Sequence, residues 1–146
     1  MGKRRKARES TLQILFQLDF NHYLPERAIK QYWENRKASE EVKEYSNWLV
    51  NGIISHQEKI DNIIQSVSEH WRLSRMAVID RNILRMAVFE LLFEEDIAAA
   101  IVINEAIEIA KKYSSVEAAA FVNGILDAIR KRLKSIKKSQ KEEKNG

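Results

Sequence analysis

Five cations in six residues, Lys3, Arg4, Arg5, Lys6 and Arg8, open the chain and run directly into an amphipathic stretch. On a helix, Arg4 and Arg8 lie one turn apart with Arg5 beside them, while Ala7 keeps the other side small. That spacing suits successive phosphates, and arginine also stacks on unpaired bases, which matters for single-stranded RNA. Further along, Gln13 carries an amide able to read a base edge, and Phe16 offers a ring for stacking. If all five cations neutralised phosphates of a single strand, the salt slope would approach about −3.5. A lone basic run is usually just a solvated face. Its continuation into Gln13 and Phe16 favours a nucleic-acid site. The expectation is that Arg5→Ala or Arg8→Ala weakens RNA binding and leaves the fold intact.

Phe121 immediately precedes the core-stripe residue Val122, so its ring falls at the edge of a buried face. Spacing alone permits either stacking on a base or ordinary core packing. Phe89, Phe93 and Trp48 read as packing residues. Catalytic chemistry has little to stand on. His22, His56 and His70 are scattered, and Asp19 with His22 makes a single carboxylate-x-x-His pair where a metal-binding bundle needs two. No Gly-rich phosphate loop and no nucleophile elbow occur. Asn104, Glu105, Glu108, Lys111 and Lys112 form an ordinary charge-patterned helix face. With no cysteine, disulfides and thiolate metal sites are excluded. The chain is expected to be no enzyme, with no metal and no cofactor.

The elements that must position these side chains are helical. The 146 residues are 45% hydrophobic with 4 Gly and 1 Pro, a composition poor in turn formers. Helical periodicity marks a first helix from Arg4 to His22, with Thr11, Ile14, Leu15 and Leu18 as its stripe. Pro25 starts a short second helix through Trp33. Ser39, followed by Glu40 and Glu41, caps a third with Val42, Tyr45, Leu49 and Ile53 facing inward. Ile60, Ile63, Ile64 and Val67 mark a fourth that ends near Trp71. Residues 77–93 are apolar nearly all round and read as a buried central helix. A sixth places Val102, Ala106, Ile109, Ala110 and Tyr113 inward, and Ser115 caps the last. Gly52 and Gly124, in the similar strings "LVNGII" and "FVNGIL", are read as close helix crossings, although six residues can match by chance.

The net charge of +4 is unevenly distributed: +5 over residues 1–8, +6 over 130–146 and −7 over the body between. Basic ends on an acidic body suit a localised polyanion site beside a surface fit for a basic protein. No apolar run approaches a membrane span and no signal-peptide pattern follows the basic start, so a cytoplasmic protein without membrane contact is expected.

These segments together resemble the NusB family of bacterial transcription antitermination factors. The matching pieces are "ARE" at Ala7–Glu9 with Gln13 and Leu15 behind it, "DRNILRMAVFEL" at Asp80–Leu91, "DI" at Asp96, "INEAIEIAKKY" from Ile103 and "FVNGILD" at Phe121–Asp127. They stand in the family's order across nearly the whole chain. Ala98 replaces a frequent proline. Phe16 and Phe89 replace common tyrosines, which removes a hydroxyl and keeps the ring.

The resemblance implies an all-α fold of six or seven helices in two small bundles. Residues 1–137 would form one RNA-binding domain, and 138–146 a basic tail without structure. It implies binding to single-stranded boxA RNA of nascent ribosomal transcripts, jointly with NusE, a small-subunit ribosomal protein. The pair would join RNA polymerase and other Nus factors to suppress termination. By matched position, Lys3, Arg4, Arg5, Lys6 and Arg8 would hold phosphates, Gln13 and Phe16 would line the same groove, and Phe121 with Glu117 would close its far side. Trp71, Asp80, Arg81 and Leu84 would face NusE. Other readings are an RNA-binding or protein-interaction module of another ribonucleoprotein or rRNA-processing assembly. The bases read, and the choice between monomer and homodimer, stay open.

Overall fold

The computed structural model describes the backbone of residues 2–145 and the side chains of residues 2–136. Seven α-helices and a 3-10 turn make up the described chain: α1 (Lys3–Asn21), α2 (Pro25–Glu34), α3 (Glu40–Ser55), α4 (Gln57–Val67), the turn Leu73–Arg75, α5 (Val78–Phe93), α6 (Ala99–Tyr113) and α7 (Val116–Asn145). The all-α expectation is met. Residues 138–145, expected as a tail without structure, continue the backbone of α7, and their side chains lie outside the described residues.

Helix starts follow local chemistry. Pro25 occupies the first turn of α2, Ser39 Oγ accepts the Val42 N–H at 3.3 Å, and Ser115 Oγ accepts the Ala118 N–H at 2.9 Å. At Ala98, without proline or a capping side chain, α6 starts from a backbone carbonyl that accepts from Ile101 and Val102. His22 closes α1 in the left-handed region at φ 52°. The fourth helix stops earlier than expected, at Val67. Gln65 is the reason: its side-chain amide donates to the carbonyls of Ser68 and Trp71, and its oxygen accepts the Leu73 N–H at 2.9 Å. One glutamine thereby ties down the loop that carries Trp71.

Helices α1, α2 and α3 pack on one another, α4, α6 and α7 gather at the other end, and α5 touches both groups. From Asn82 to Glu90 every residue of α5 is buried, as the all-round apolar pattern requires. Its Phe89 lies over Gly52 of α3, where any Cβ would overlap the ring. The close crossing predicted at Gly52 is therefore present. That predicted at Gly124 is not, because a Cβ there meets open space. Phe89 is buried, with Trp48 and Phe93 stacked around it at ring-centroid separations of 4.8 and 4.9 Å. Tyr113, expected inward, is 40% exposed, since it sits on the last residue of α6 beyond the packed turns.

The two glycines should respond oppositely to the same change. Gly52→Ala should cost about 1–3 kcal/mol through forced displacement of Phe89. Gly124→Ala should be neutral or stabilise by up to about 1 kcal/mol, because the helix loses a flexible residue at no steric cost. Urea denaturation of both variants checks this.

Candidate nucleic-acid interface

Two of the five cations, Arg5 and Arg8, turn inward, and Arg4 reaches a carboxylate from the surface. Helix α1 packs against α5, and its Arg4, Arg5 and Arg8 reach Glu94 just beyond α5, Glu105 of α6 and Glu90 of α5. Arg8 donates from Nε to Glu90 Oε1 at 2.8 Å and from Nη2 to Glu90 Oε2 at 2.7 Å. The two side chains are only 4% and 1% exposed. Tyr45 OH donates to the same carboxylate at 2.7 Å. Burial works against the Arg8 charge, but Glu90 outweighs it and the guanidinium is held above its ordinary value. Arg8 is therefore a buried structural ion, and its expected place among the phosphate contacts is corrected.

The neighbouring cations are also engaged. Arg5 makes a two-point contact with Glu105 at 2.7 and 2.9 Å, half-buried, and this hydrogen bonding lowers the Glu105 carboxyl below its usual value. Arg4 donates to Glu94 at 3.2 Å and lies 3.9 Å from the centre of the Tyr45 ring. Lys3 reaches Glu41 at 3.1 Å in full exposure, a pair worth little. Among the described residues no carboxylate stands within salt-bridge range of Lys6. Nothing in the basic string singled out Glu90, Glu105 or Tyr45 as partners. The signal available was Glu90, an acidic residue set within the apolar run 86–93 of α5.

What α1 presents to solvent is a different stripe. Lys6, Ser10, Gln13 and Gln17 follow one another at helical spacing along its outer side. Gln13 is exposed and accepts from Tyr32 OH at 2.7 Å, which fixes the amide plane. Phe16, 48% exposed, lies against Phe20 and lines a cleft of about 280 Å³ with Gln13, Gln17, Ile79 and Tyr113. Glu9 anchors that rim by accepting from Lys112 Nζ at 2.8 Å and from Tyr113 OH. Sequence pattern alone reads Lys112 as ordinary surface and Tyr113 as core.

Phe121 is half-buried against the core, as the packing reading has it, and its ring meets that of Trp71 edge to face at 6.1 Å. Glu117 stands exposed one turn before it. Of the four residues assigned to a protein partner, Trp71 is 58% exposed, whereas Leu84 is fully buried in the α5 core and is corrected as a contact. Asp80 and Arg81 are partly exposed. Asp80 Oδ1 and Arg81 Nε have no hydrogen-bond partner among the described residues, and Arg81 Nη2 stands 3.9 Å from Asp19 Oδ1.

The expectation that Arg8→Ala spares the fold is reversed by this geometry. Removing Arg8 leaves Glu90 buried and unpaired, at a cost of about 3–5 kcal/mol. Arg8→Met with Glu90→Leu should recover most of that loss. Chemical denaturation of the single and double variants decides it. The Arg5–Glu105 pair adds a pH signature. A depressed carboxyl contributes stability that is complete above its ordinary value of 4.5 and is lost as pH falls through the folded value. The deficit of Glu105→Gln, read in urea melts, should therefore be largest near neutrality and shrink in acid.

Comparison with known proteins agrees with this architecture. The NusB family profile matches residues 5–131. The transcription antitermination protein NusB of Thermodesulfovibrio yellowstonii is 44% identical over 140 residues, spanning 88% of this chain and 92% of that one. The T. maritima NusB structure superposes with a TM-score of 0.82 at 40% identity, covering 88% of this chain and 90% of that one. A crystal structure of the antitermination factors NusB and NusE in complex with double-stranded RNA gives 0.79 at 33% identity, covering 90% and 98%. With the profile spanning most of the helical body and the solved folds superposing along it, this chain belongs to the NusB family.

Proposed function

We propose that this protein is a transcription antitermination factor. It binds single-stranded boxA RNA of nascent ribosomal transcripts together with NusE and couples that RNA to the elongating RNA polymerase with other Nus factors. The observation that carries the reading is the outward stripe of α1. Lys6 supplies a cation with no carboxylate in salt-bridge range among the described residues, Gln13 an oriented amide, and Phe16 with Tyr113 a pair of exposed rings beside a cleft. That is the order a single strand needs: charge for the backbone, an amide for a base edge, and rings for stacking. Lys3 and Arg4 sit at the solvent margin, where their weak ion pairs can be exchanged for phosphates. Arg5 can contribute only by sharing its guanidinium with Glu105.

Phe121 and Glu117 border the same site from α7 in this reading. Trp71, Asp80 and Arg81 form the surface toward NusE. Trp71, 58% exposed, supports a contact surface there. The acidic body favours a basic protein.

Binding of a boxA-like single strand and a scrambled control, with and without NusE, tests the proposal. Preference for boxA that strengthens with NusE supports it, and equal salt-sensitive binding to both RNAs contradicts it. Lys6→Ala should weaken binding and make the salt slope shallower by about 0.7. Phe16→Ala and Phe121→Ala should weaken it with the slope unchanged, because stacking releases few counterions.

A further inference from the structure

A second groove adjoins the other edge of the α1 stripe. It has a volume of about 500 Å³ and lies between the start of α1, the end of α2 and the loop into α3. Lys3, Lys6, Arg36 and Lys37 line it together with Ser10 and Trp33, and no carboxylate is among its lining residues. Lys3 keeps its exposed pair with Glu41 at the groove's edge, whereas Lys6, Arg36 and Lys37 have no carboxylate in salt-bridge range among the described residues. Arg36 is held ready: Nη1 donates to the Tyr32 carbonyl at 2.9 Å and the guanidinium lies 4.0 Å from the centre of the Tyr32 ring. An arginine fixed in this way loses little freedom when it accepts a phosphate. Lys37 is exposed, with no carboxylate in salt-bridge range among the described residues.

We infer that this groove holds the sugar–phosphate backbone of the same RNA strand, extending the site from the Phe16 cleft along α1 to the α2–α3 corner. Lys3, Lys6, Ser10 and Gln13 share one outer line of the helix, spanning about 15 Å at 1.5 Å per residue. The cationic groove and the aromatic cleft are therefore two ends of one track. The stacking end selects bases, and the groove adds sequence-independent affinity. The inference rests on the RNA-binding reading above and assigns Arg36 and Lys37, which the sequence pattern had not marked.

Salt titration of a fluorescent boxA-like single strand, by anisotropy, tests it on the full chain. Arg36→Gln/Lys37→Gln should bind about tenfold more weakly at physiological salt, with a slope shallower by about 1.4. Lys37→Gln alone, which breaks no contact inside the fold, should shift the slope by about 0.7. The preference for boxA over the scrambled strand should be unchanged in both. If both variants bind as wild type while Phe16→Ala loses affinity, the extension is overturned and the proposed function stands. If the wild type itself fails to distinguish boxA from the scrambled strand, the RNA reading falls and the extension with it. Loss of binding to a poly-glutamate peptide with RNA affinity unchanged would give the groove to an acidic protein and likewise overturn it.

Discussion

The buried contact between Arg8 and Glu90 ties the N-terminal helix to the centre of the fold. A carboxylate with almost no exposure on the central helix must have its charge met, and Arg8 meets it at two points while the Tyr45 hydroxyl takes a third. Such a pair need not add net stability over an apolar equivalent, because desolvation offsets most of the attraction. What it does is set register. With Arg8 pinned to α5, the rotation of α1 about its axis is determined, and so is the line of residues it shows to solvent. Arg5 on Glu105 and Arg4 on Glu94 hold the same orientation with progressively more solvent around them.

That rotation divides one basic string into two jobs. The arginines three or four residues apart face the protein and serve as mortar. The lysine between them, at position 6, faces outward with Ser10 and Gln13. A dense positive start therefore yields far fewer free charges than its composition implies, and the affinity of any polyanion depends on where those few stand. Tyr32 links the two sides, fixing Gln13 through its hydroxyl and Arg36 through its ring and carbonyl.

Fold and site were unequally legible in the sequence. Apolar spacing located the helices because burial of a helix face leaves a periodic trace, and Ser39, Pro25 and Ser115 marked starts because capping uses few residue types. The end of α4 was missed because Gln65 stops it through side-chain bonds to residues three, six and eight positions on, which leave no periodic trace. Arg8 was assigned outward because a charged residue next to solvent-type neighbours looks exposed. Only the position of Glu90 on a distant helix makes it internal. Leu84 failed as a partner contact for the converse reason, since the matched motif surrounds it but the all-round apolar helix buries it. Gly52 and Gly124 carry the same local string, and only one has a ring above it.

The most direct measurement of the central claim is nuclear magnetic resonance of the labelled full chain, titrated with a boxA-like single strand. The arginine Nε–H signals and the backbone amides would be followed together. The account predicts that amides from Lys6 to Gln17, and those around Tyr113 and Phe121, move with RNA. The Arg8 Nε–H signal should stay in place throughout. Movement of the Arg8 signal, or shifts confined to helices away from α1, would contradict it. The buried pair would then not be what sets the binding face.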